Sequence, residues 1–222
     1  MTGNGLVGQF LLVSPLLLVS LVLHELAHGW VAWKLGDPTA KLHGRLTLNP
    51  LQHLDPWGTV MLAVTFFGSG GRFFFGWAKP VPISPWQFRD PQRGMMLVGL
   101  AGPVVNYTLA LVSAGLIWLT YTWSVFVVQA LLILFALNVI LGTLNLIPIP
   151  PLDGSRVLGG FLPREAYRRW ITYDRYGNYV FLGLFVVLVA FPVLFDATFG
   201  AVLRLWLHLL PEWVRLWLSG SI

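Results

Sequence analysis

The residues with the clearest chemical signature are His24, Glu25 and His28, which form the pattern His-Glu-x-x-His. On a helix, residues four apart share a face, so both imidazoles can bind one metal ion. The glutamate directly follows the first histidine and is placed to accept a proton from an attacking water molecule. The pattern is typical of zinc-dependent hydrolysis.

This motif ends a run that is long enough for a spanning helix. Residues 6–23 are 18 consecutive residues without a charge, or about 27 Å of helix. A carboxylate in lipid costs at least ~2.5 kcal/mol, and no basic residue precedes Lys34. A shared metal ion explains three ionisable groups within five residues. We expect the run to stay in the mature protein, because it lacks the basic start and the small-residue cleavage site of a signal peptide.

A catalytic zinc ion needs a third protein ligand and an open position. In one class of zinc proteases a third histidine follows six residues after the second, but that position is Lys34. The chain has no cysteine, so thiolate ligands are excluded. The chemistry of the side chains leaves several candidates open: His43, His53, Asp37, Asp55, Asp153 and Glu165.

Several motifs together resemble the site-2 protease family of intramembrane zinc metalloproteases, peptidase family M50. Besides HELAHGW, the chain contains Asn-x-x-Pro-x-Pro-x-x-Asp-Gly at residues 145–154, and GRLTLNPLQHLDPWGT, GWAKPVP and AGPVVN at 44–59, 76–82 and 101–106. The resemblance covers about residues 6–163. No stretch resembles the PDZ or CBS domains that many members carry, so the chain resembles a compact member.

The resemblance implies a role for each motif residue. His24, His28 and Asp153 would bind one zinc ion per chain, Glu25 would be the general base, and Asn145 would stabilise the oxyanion or position the substrate. It also implies hydrolysis of peptide bonds in or near the transmembrane segments of single-span partner proteins. His43 and His53 are interpreted as loop residues, and Asn106 is expected to cap a broken turn after Pro103, with a functional role for it left open.

The composition predicts a membrane protein. Charged residues make up 10% of the chain, against roughly 25% in soluble domains. Residues 94–152 are uncharged and predict two crossings joined by a turn at 120–124, and residues 176–195 predict another helix. After residue 197, charged residues alternate with tryptophans, which favours an interfacial or partly spanning helix. We therefore expect an all-α polytopic membrane protein with about four transmembrane helices, in one domain with its core at 6–163 and C-terminal helices at 176–218.

The apolar segment 57–77 is the ambiguous part of the topology. If Asp153 is to meet His24 and His28, the chain must cross the membrane an even number of times between them. Two crossings already lie in 94–152, so 57–77 does not span. Its aromatic residues and glycines favour a re-entrant, β-hairpin-like segment covered by protein. An exposed edge there would bind an unwound substrate by strand addition.

Basic residues predict the orientation. With 57–77 re-entrant, twelve of the 14 Lys and Arg residues lie on one side, which places the N-terminus outside and the site toward the cytoplasmic face of a prokaryotic plasma membrane. The basic residues are not clustered with aromatics, so we expect the lipid bilayer as a partner and no nucleic acid. Two alternatives remain: a transporter that moves metal ions or protons through buried His and Asp groups, and a proteolytically inactive membrane scaffold.

Overall fold

The computed structural model describes residues 5–71, 73–119, 124–173, 176–190 and 192–218. Within these residues the fold is helical and contains no strand. Eleven α-helices are described: α1 Leu6–Lys34, α2 Thr39–Leu42, α3 Pro56–Gly68, α4 Pro91–Leu119, α5 Val125–Asn145, α6 Asp153–Phe161, α7 Arg164–Tyr173, α8 Gly177–Ala190, α9 Pro192–Phe195, α10 Ala201–Leu207 and α11 Glu212–Leu218.

Three of the described helices are long and apolar enough to cross a membrane, namely α1, α4 and α5. They contain 29, 29 and 21 residues, and a bilayer core needs about 20. The two crossings predicted in 94–152 correspond to α4 and α5, and the predicted turn at 120–124 lies almost entirely outside the described residues. The helix predicted at 176–195 corresponds to α8 and α9, which lie on either side of residue 191. A count of four transmembrane helices is not confirmed.

Helix α4 occupies the centre of the fold and packs against α1, α5 and α6. Its buried residues include Val98, Gly102, Asn106 and Ala110, at a spacing of four. This spacing places them on one stripe of the helix, and the small residues in the stripe let neighbouring helices approach closely. The structure keeps α4 continuous through Pro103, so the expectation that Asn106 caps a broken turn was wrong.

The segment predicted as a β-hairpin is a helix followed by extended chain, and the hairpin is not confirmed. Helix α3 begins at Pro56, and the Asp55 carboxylate caps it by accepting from the Gly58 N–H at 2.8 Å. The chain beyond it, residues 73–84, which we name the return segment, runs back beside α3. Its one described ladder contact is an isolated antiparallel bridge between Leu54 and Ala78. Asp55 before Pro56 is a helix-start signal that outweighs the β-favouring aromatic residues.

Residues 56–84 start and finish beside the same part of α1. Near the start, Gly58 lines the same space as Leu21 of α1. Near the turn, a Cβ on Gly71 would lie 3.0 Å from the side chains of Leu6 and Gln9. At the end of the return segment, the Val81 N–H donates to the Glu25 carboxylate at 3.0 Å. Helix α3 has 13 residues, or about 20 Å, which is shorter than a bilayer core. This geometry agrees with a segment that does not span.

The C-terminal helices pack against the long helices. Leu210 and Val214 are buried in one apolar cluster with Ala110, Ala114, Ile117, Phe135 and Val139 of α4 and α5. The Trp206 ring stacks on the Tyr107 ring at a centroid distance of 5.0 Å. The Trp118 indole N–H also donates to the Leu209 carbonyl at 2.9 Å. The segment after residue 197 is therefore two short helices held against the bundle.

Candidate metal centre and active site

The two motif histidines lie together on one face of α1. Their Nε2 atoms are 3.0 Å apart, and the residues are 5% and 4% exposed. The spacing of four in a continuous helix produces this geometry, as the sequence predicted. Both imidazoles therefore point into the same buried space, where neither is solvated.

Asp153 completes a triangle of donor atoms. Its Oδ2 lies 3.2 Å from His24 Nε2 and 3.1 Å from His28 Nε2. Within the described residues, these three form the one group of three or more His, Asp or Glu side chains with donor atoms all within 4.8 Å. Two ligands of a tetrahedral zinc ion are about 3.3 Å apart, so the observed spacing suits one small cation. The Asp153 Oδ2 is buried without a hydrogen bond, which leaves a lone pair for such an ion.

Glycines allow the aspartate to reach this position. A Cβ on Gly154 would lie 2.2 Å from the Leu146 carbonyl oxygen, so only glycine lets α6 begin against the end of α5. A Cβ on Gly99 would lie 3.0 Å from the Asp153 carbonyl oxygen. The other carboxylate oxygen, Oδ1, accepts from the Arg156 guanidinium at 3.2 Å. Burial opposes ionisation of Asp153, but when both imidazoles are protonated their hydrogen bonds and positive charge outweigh that cost and hold its pKa below the usual range.

Hydrogen bonds at Nδ1 orient both imidazoles. His24 Nδ1 lies 2.7 Å from Asn106 Oδ1, and His28 Nδ1 lies 2.7 Å from the Val98 carbonyl oxygen. Both partners are acceptors, so each Nδ1 carries a proton, and in the neutral ring each Nε2 keeps its lone pair. This is the tautomer that a metal ligand requires.

A chain of buried amides fixes the direction of these bonds. Asn138 on α5 donates twice from Nδ2, to Ser20 Oγ at 2.9 Å and to the Leu134 carbonyl at 2.8 Å. Its Oδ1 must then accept from Asn106 Nδ2 at 2.8 Å, which turns Asn106 Oδ1 toward His24. Ser20, Asn106 and Asn138 are all fully buried. The chain joins α1, α4 and α5 around the imidazole.

Gly102 on α4 forms one wall of the donor triangle. A Cβ there would lie 2.3 Å from His24 Cε1 and 2.6 Å from the Nε2 atoms of both His24 and His28. Any other residue would push the imidazoles aside. The converging donors, the unpaired Asp153 oxygen and this cradle together fit a bound zinc ion.

The remaining residues singled out in the sequence lie around this cluster or away from it. Glu25 is half-buried on α1 and accepts from Val81. Asn145 ends α5, and its side chain donates to the Leu141 carbonyl at 3.0 Å rather than to a group of the cluster. The other ligand candidates form separate local contacts: Asp37 with Thr39 and Ser84, His43 with Thr39, His53 with Thr47, Asp55 with Gly58, and Glu165 with Arg168.

Sequence reasoning missed part of the surroundings. Asn138 could have been identified from the sequence, because it is a polar residue in an apolar helix. Such a residue is costly in lipid and is expected to have a hydrogen-bond partner. Asn106 was noted but given no role. The Val98 carbonyl and the Val81 amide left no signal, because every residue carries these backbone groups.

Membrane-length helices around a buried His-His-Asp cluster, with a glutamate on the same helix, define the class of membrane-embedded metallopeptidases. The model of peptidase family M50 matches residues 119–191. The Bacillus subtilis (strain 168) protein named "Putative zinc metalloprotease YwhC" is 40% identical over 178 residues, 77% of this chain and 78% of that protein. The proteins named Rip2 of Mycolicibacterium smegmatis and Mycobacterium tuberculosis (strain H37Rv) are 36% and 34% identical, over 85% and 88% of this chain and 70% and 73% of theirs.

The chain belongs to peptidase family M50. It is a zinc-dependent protease and an integral membrane protein, as the sequence predicted. No solved structure gives a significant match to the chain.

Proposed function

We propose that this protease cleaves single-span membrane proteins within or near their transmembrane segments. The observation that carries the proposal is the burial of His24, His28 and Asp153 at the level of a membrane-length helix, against two other such helices. A site built into the bundle can receive a peptide from the bilayer. The catalytic core in this proposal is residues 6–163.

We assign the zinc ion to His24 Nε2, His28 Nε2 and Asp153 Oδ2. When bound, zinc polarises the scissile carbonyl and lowers the pKa of a water molecule. Glu25 is the general base, which accepts the proton of the attacking water and delivers it to the leaving amine. The hydrogen bond from Val81 to Glu25 holds the carboxylate beside the two histidines of its own helix.

Asn145 is proposed to donate to the oxyanion. Its amide has two N–H groups, and the Leu141 carbonyl uses one of them. The second is available to a tetrahedral intermediate, whose developing charge such a donor stabilises.

The return segment is the proposed binding edge for an unwound substrate. Thr65 Oγ1 accepts from the Phe75 N–H at 2.9 Å, and Ser69 Oγ accepts from the Phe73 N–H and donates to the Phe73 carbonyl. These hydroxyls satisfy one edge of the extended chain. In the described part of the chain the Phe74 backbone, which faces the other edge, makes no hydrogen bond. A substrate strand can add there, because a helix must unwind before its carbonyls are reachable.

The proposed orientation places the N-terminus outside and the metal centre toward the cytoplasm of a prokaryotic cell. Helices α4 and α5 supply an even number of crossings between the two parts of the metal centre, and residues 56–84 return to the same end of α1. Twelve of the 14 basic residues then lie on the cytoplasmic side.

The test is co-expression with single-span membrane proteins, comparing the intact chain with Glu25→Gln. The amide keeps the shape of the side chain but accepts no proton, so we expect full zinc content and at least a 100-fold loss of cleavage. Glu165→Gln, at an exposed acid of α7, is the matched control and should cleave normally. Normal turnover by Glu25→Gln would contradict the assigned role, and cleavage of soluble proteins alone would contradict the membrane substrate.

A further inference from the structure

A cavity of about 300 Å³ lies between α1, α3 and the return segment. Its walls are largely apolar side chains, including Leu18, Leu21 and Leu62. For comparison, an apolar cavity of about 150 Å³ accepts a benzene molecule. The space is therefore large enough for one aromatic side chain.

The cavity is adjacent to the proposed general base along α1. Ser14, Leu18 and Leu21 line it, and Glu25 continues the same spacing of three and four residues. These positions form one stripe of the helix, and Glu25 is about 6 Å beyond Leu21 along the axis. A group seated in the cavity would lie one helical turn from the carboxylate.

The opposite wall belongs to the return segment. Gly76 and Ala78 line the cavity, and three residues later the Val81 N–H binds Glu25. A peptide paired with the return segment has alternate side chains on each face. Those on the face toward α1 would lie next to the cavity.

A histidine in the wall carries a buried polar atom without a partner. His53 is fully buried and lines the cavity. Its Nε2 donates to the Thr47 carbonyl at 2.9 Å, so Nδ1 of the neutral ring is an acceptor. Among the described residues, Nδ1 has no hydrogen-bond partner. A buried acceptor without a partner is costly, and an occupant that donates to it removes that cost.

We propose that this cavity is a specificity pocket, which binds an aromatic substrate side chain carrying a hydrogen-bond donor, tyrosine or tryptophan, beside the scissile bond. His53 is the residue that distinguishes such a side chain from phenylalanine. This inference rests on the proposed proteolysis and specifies the substrate of that site.

The test is the cleavage profile of the purified zinc-bound chain in detergent on a library of peptides from denatured bacterial membrane proteins, with the new termini identified by mass spectrometry. We expect tyrosine and tryptophan to exceed phenylalanine about tenfold at one fixed position, the effect of one hydrogen bond. His53→Leu should remove this preference while apolar side chains are still accepted. His43→Leu, at an exposed histidine of the same loop, should leave it unchanged.

A second variant tests the pocket even if His53→Leu fails to fold. Leu18→Trp fills the cavity from α1 and should exclude every aromatic residue from that position while zinc content stays normal. The inference is overturned if the intact chain cleaves without this preference, or if the preference survives both variants. If a lipid chain occupied the cavity instead, the preference would survive both variants.

A binding measurement separates this inference from the proposed function. A peptide carrying 3-azidotyrosine, which keeps the phenol O–H donor, at the preferred position is irradiated with the zinc-bound Glu25→Gln chain. If the intact chain cleaves no peptide, the azide is placed at each position of one extended peptide in turn. Cross-links to residues 18–21 or 76–78 support the pocket even if the intact chain cleaves nothing, which would overturn only the proposed proteolysis. Cross-links elsewhere overturn the pocket.

Discussion

The imidazoles of the metal centre are oriented by groups on another helix. Asn106 and the Val98 carbonyl, both on α4, each accept from one Nδ1. Such outer partners fix the tautomer and ring orientation of histidine ligands, and their loss weakens metal binding. The affinity for zinc is therefore a property of the contact between α1 and α4 as much as of the motif.

We expect Asn106→Ala to weaken zinc binding about 10- to 100-fold, because His24 loses the acceptor that holds its proton on Nδ1. Competition with a chromophoric chelator measures the affinity. Asn145→Ala is the matched control, which should keep zinc affinity but lose turnover. Equal zinc affinity for Asn106→Ala and the intact chain would rule out this role.

Gly102→Ala should reduce zinc affinity at least tenfold, because the new Cβ would overlap both imidazoles. Gly115→Ala on the same helix is the control, since a Cβ there meets nothing within 4 Å. Zinc content after purification, measured together with thermal stability, distinguishes a displaced ligand from a misfolded chain. Normal zinc content in Gly102→Ala would show that the cradle is not required.

At the scale of elements, the return segment is held by helix side chains instead of a partner strand. Thr65 on α3 and Ser69, which follows its last residue, are four residues apart, and Phe73 and Phe75 are two apart on the return segment. Four residues of helix rise about 6 Å and two residues of strand about 6.6 Å, so the two repeats match. This match gives the segment an extended backbone with one edge left for another chain.

Proline substitutions along residues 73–81 test that edge. Phe74→Pro removes the N–H that faces away from α3, and we expect about tenfold slower cleavage with unchanged zinc content. Phe74→Ala removes the ring but keeps the N–H, so it should cleave faster than Phe74→Pro. Unchanged cleavage throughout the scan would eliminate binding by strand addition.

The whole molecule combines three long apolar helices with a C-terminal segment that closes over α4 and α5. The burial of Leu210 and Val214 beside Phe135 shows that this segment belongs to the packed bundle. Trp206 and Trp213 pack against this cluster, which the alternation of charged and aromatic residues did not reveal. In this bundle, the metal centre and the cavity lie next to each other along α1.

Labelling of single introduced cysteines can test the proposed orientation. The chain has no cysteine of its own, so no background labelling occurs. We expect Ser124→Cys, between α4 and α5, to react with a membrane-impermeant maleimide in intact cells. His43→Cys and Arg168→Cys should react only after the cells are permeabilised, since both lie on the proposed cytoplasmic side. The reverse pattern would invert the orientation, and equal reactivity of all three would contradict the crossings of α4 and α5.

Much of the candidate site was predictable because its signals are local. The spacing of His24 and His28 places two ligands on one face, and the resemblance assigned Asp153. The β-hairpin was not predictable in this way, since a short apolar run suits either a helix or a strand. The deciding residues were Asp55 and Pro56, whose capping geometry favours a helix start over a strand.

The sequence by itself determined the metal motif, the runs long enough to span a bilayer and the family to which the chain belongs. The motif and the runs depend on residue types at short spacings, which local backbone geometry converts directly into structure. The family follows from several such motifs in one chain. Only the tertiary structure decided which nitrogen of each imidazole faces the Asp153 carboxylate, how Glu25 is held and where a cavity opens. Those features depend on partners such as Val98, 70 residues from His28 along the chain, and packing alone brings such groups within hydrogen-bond distance.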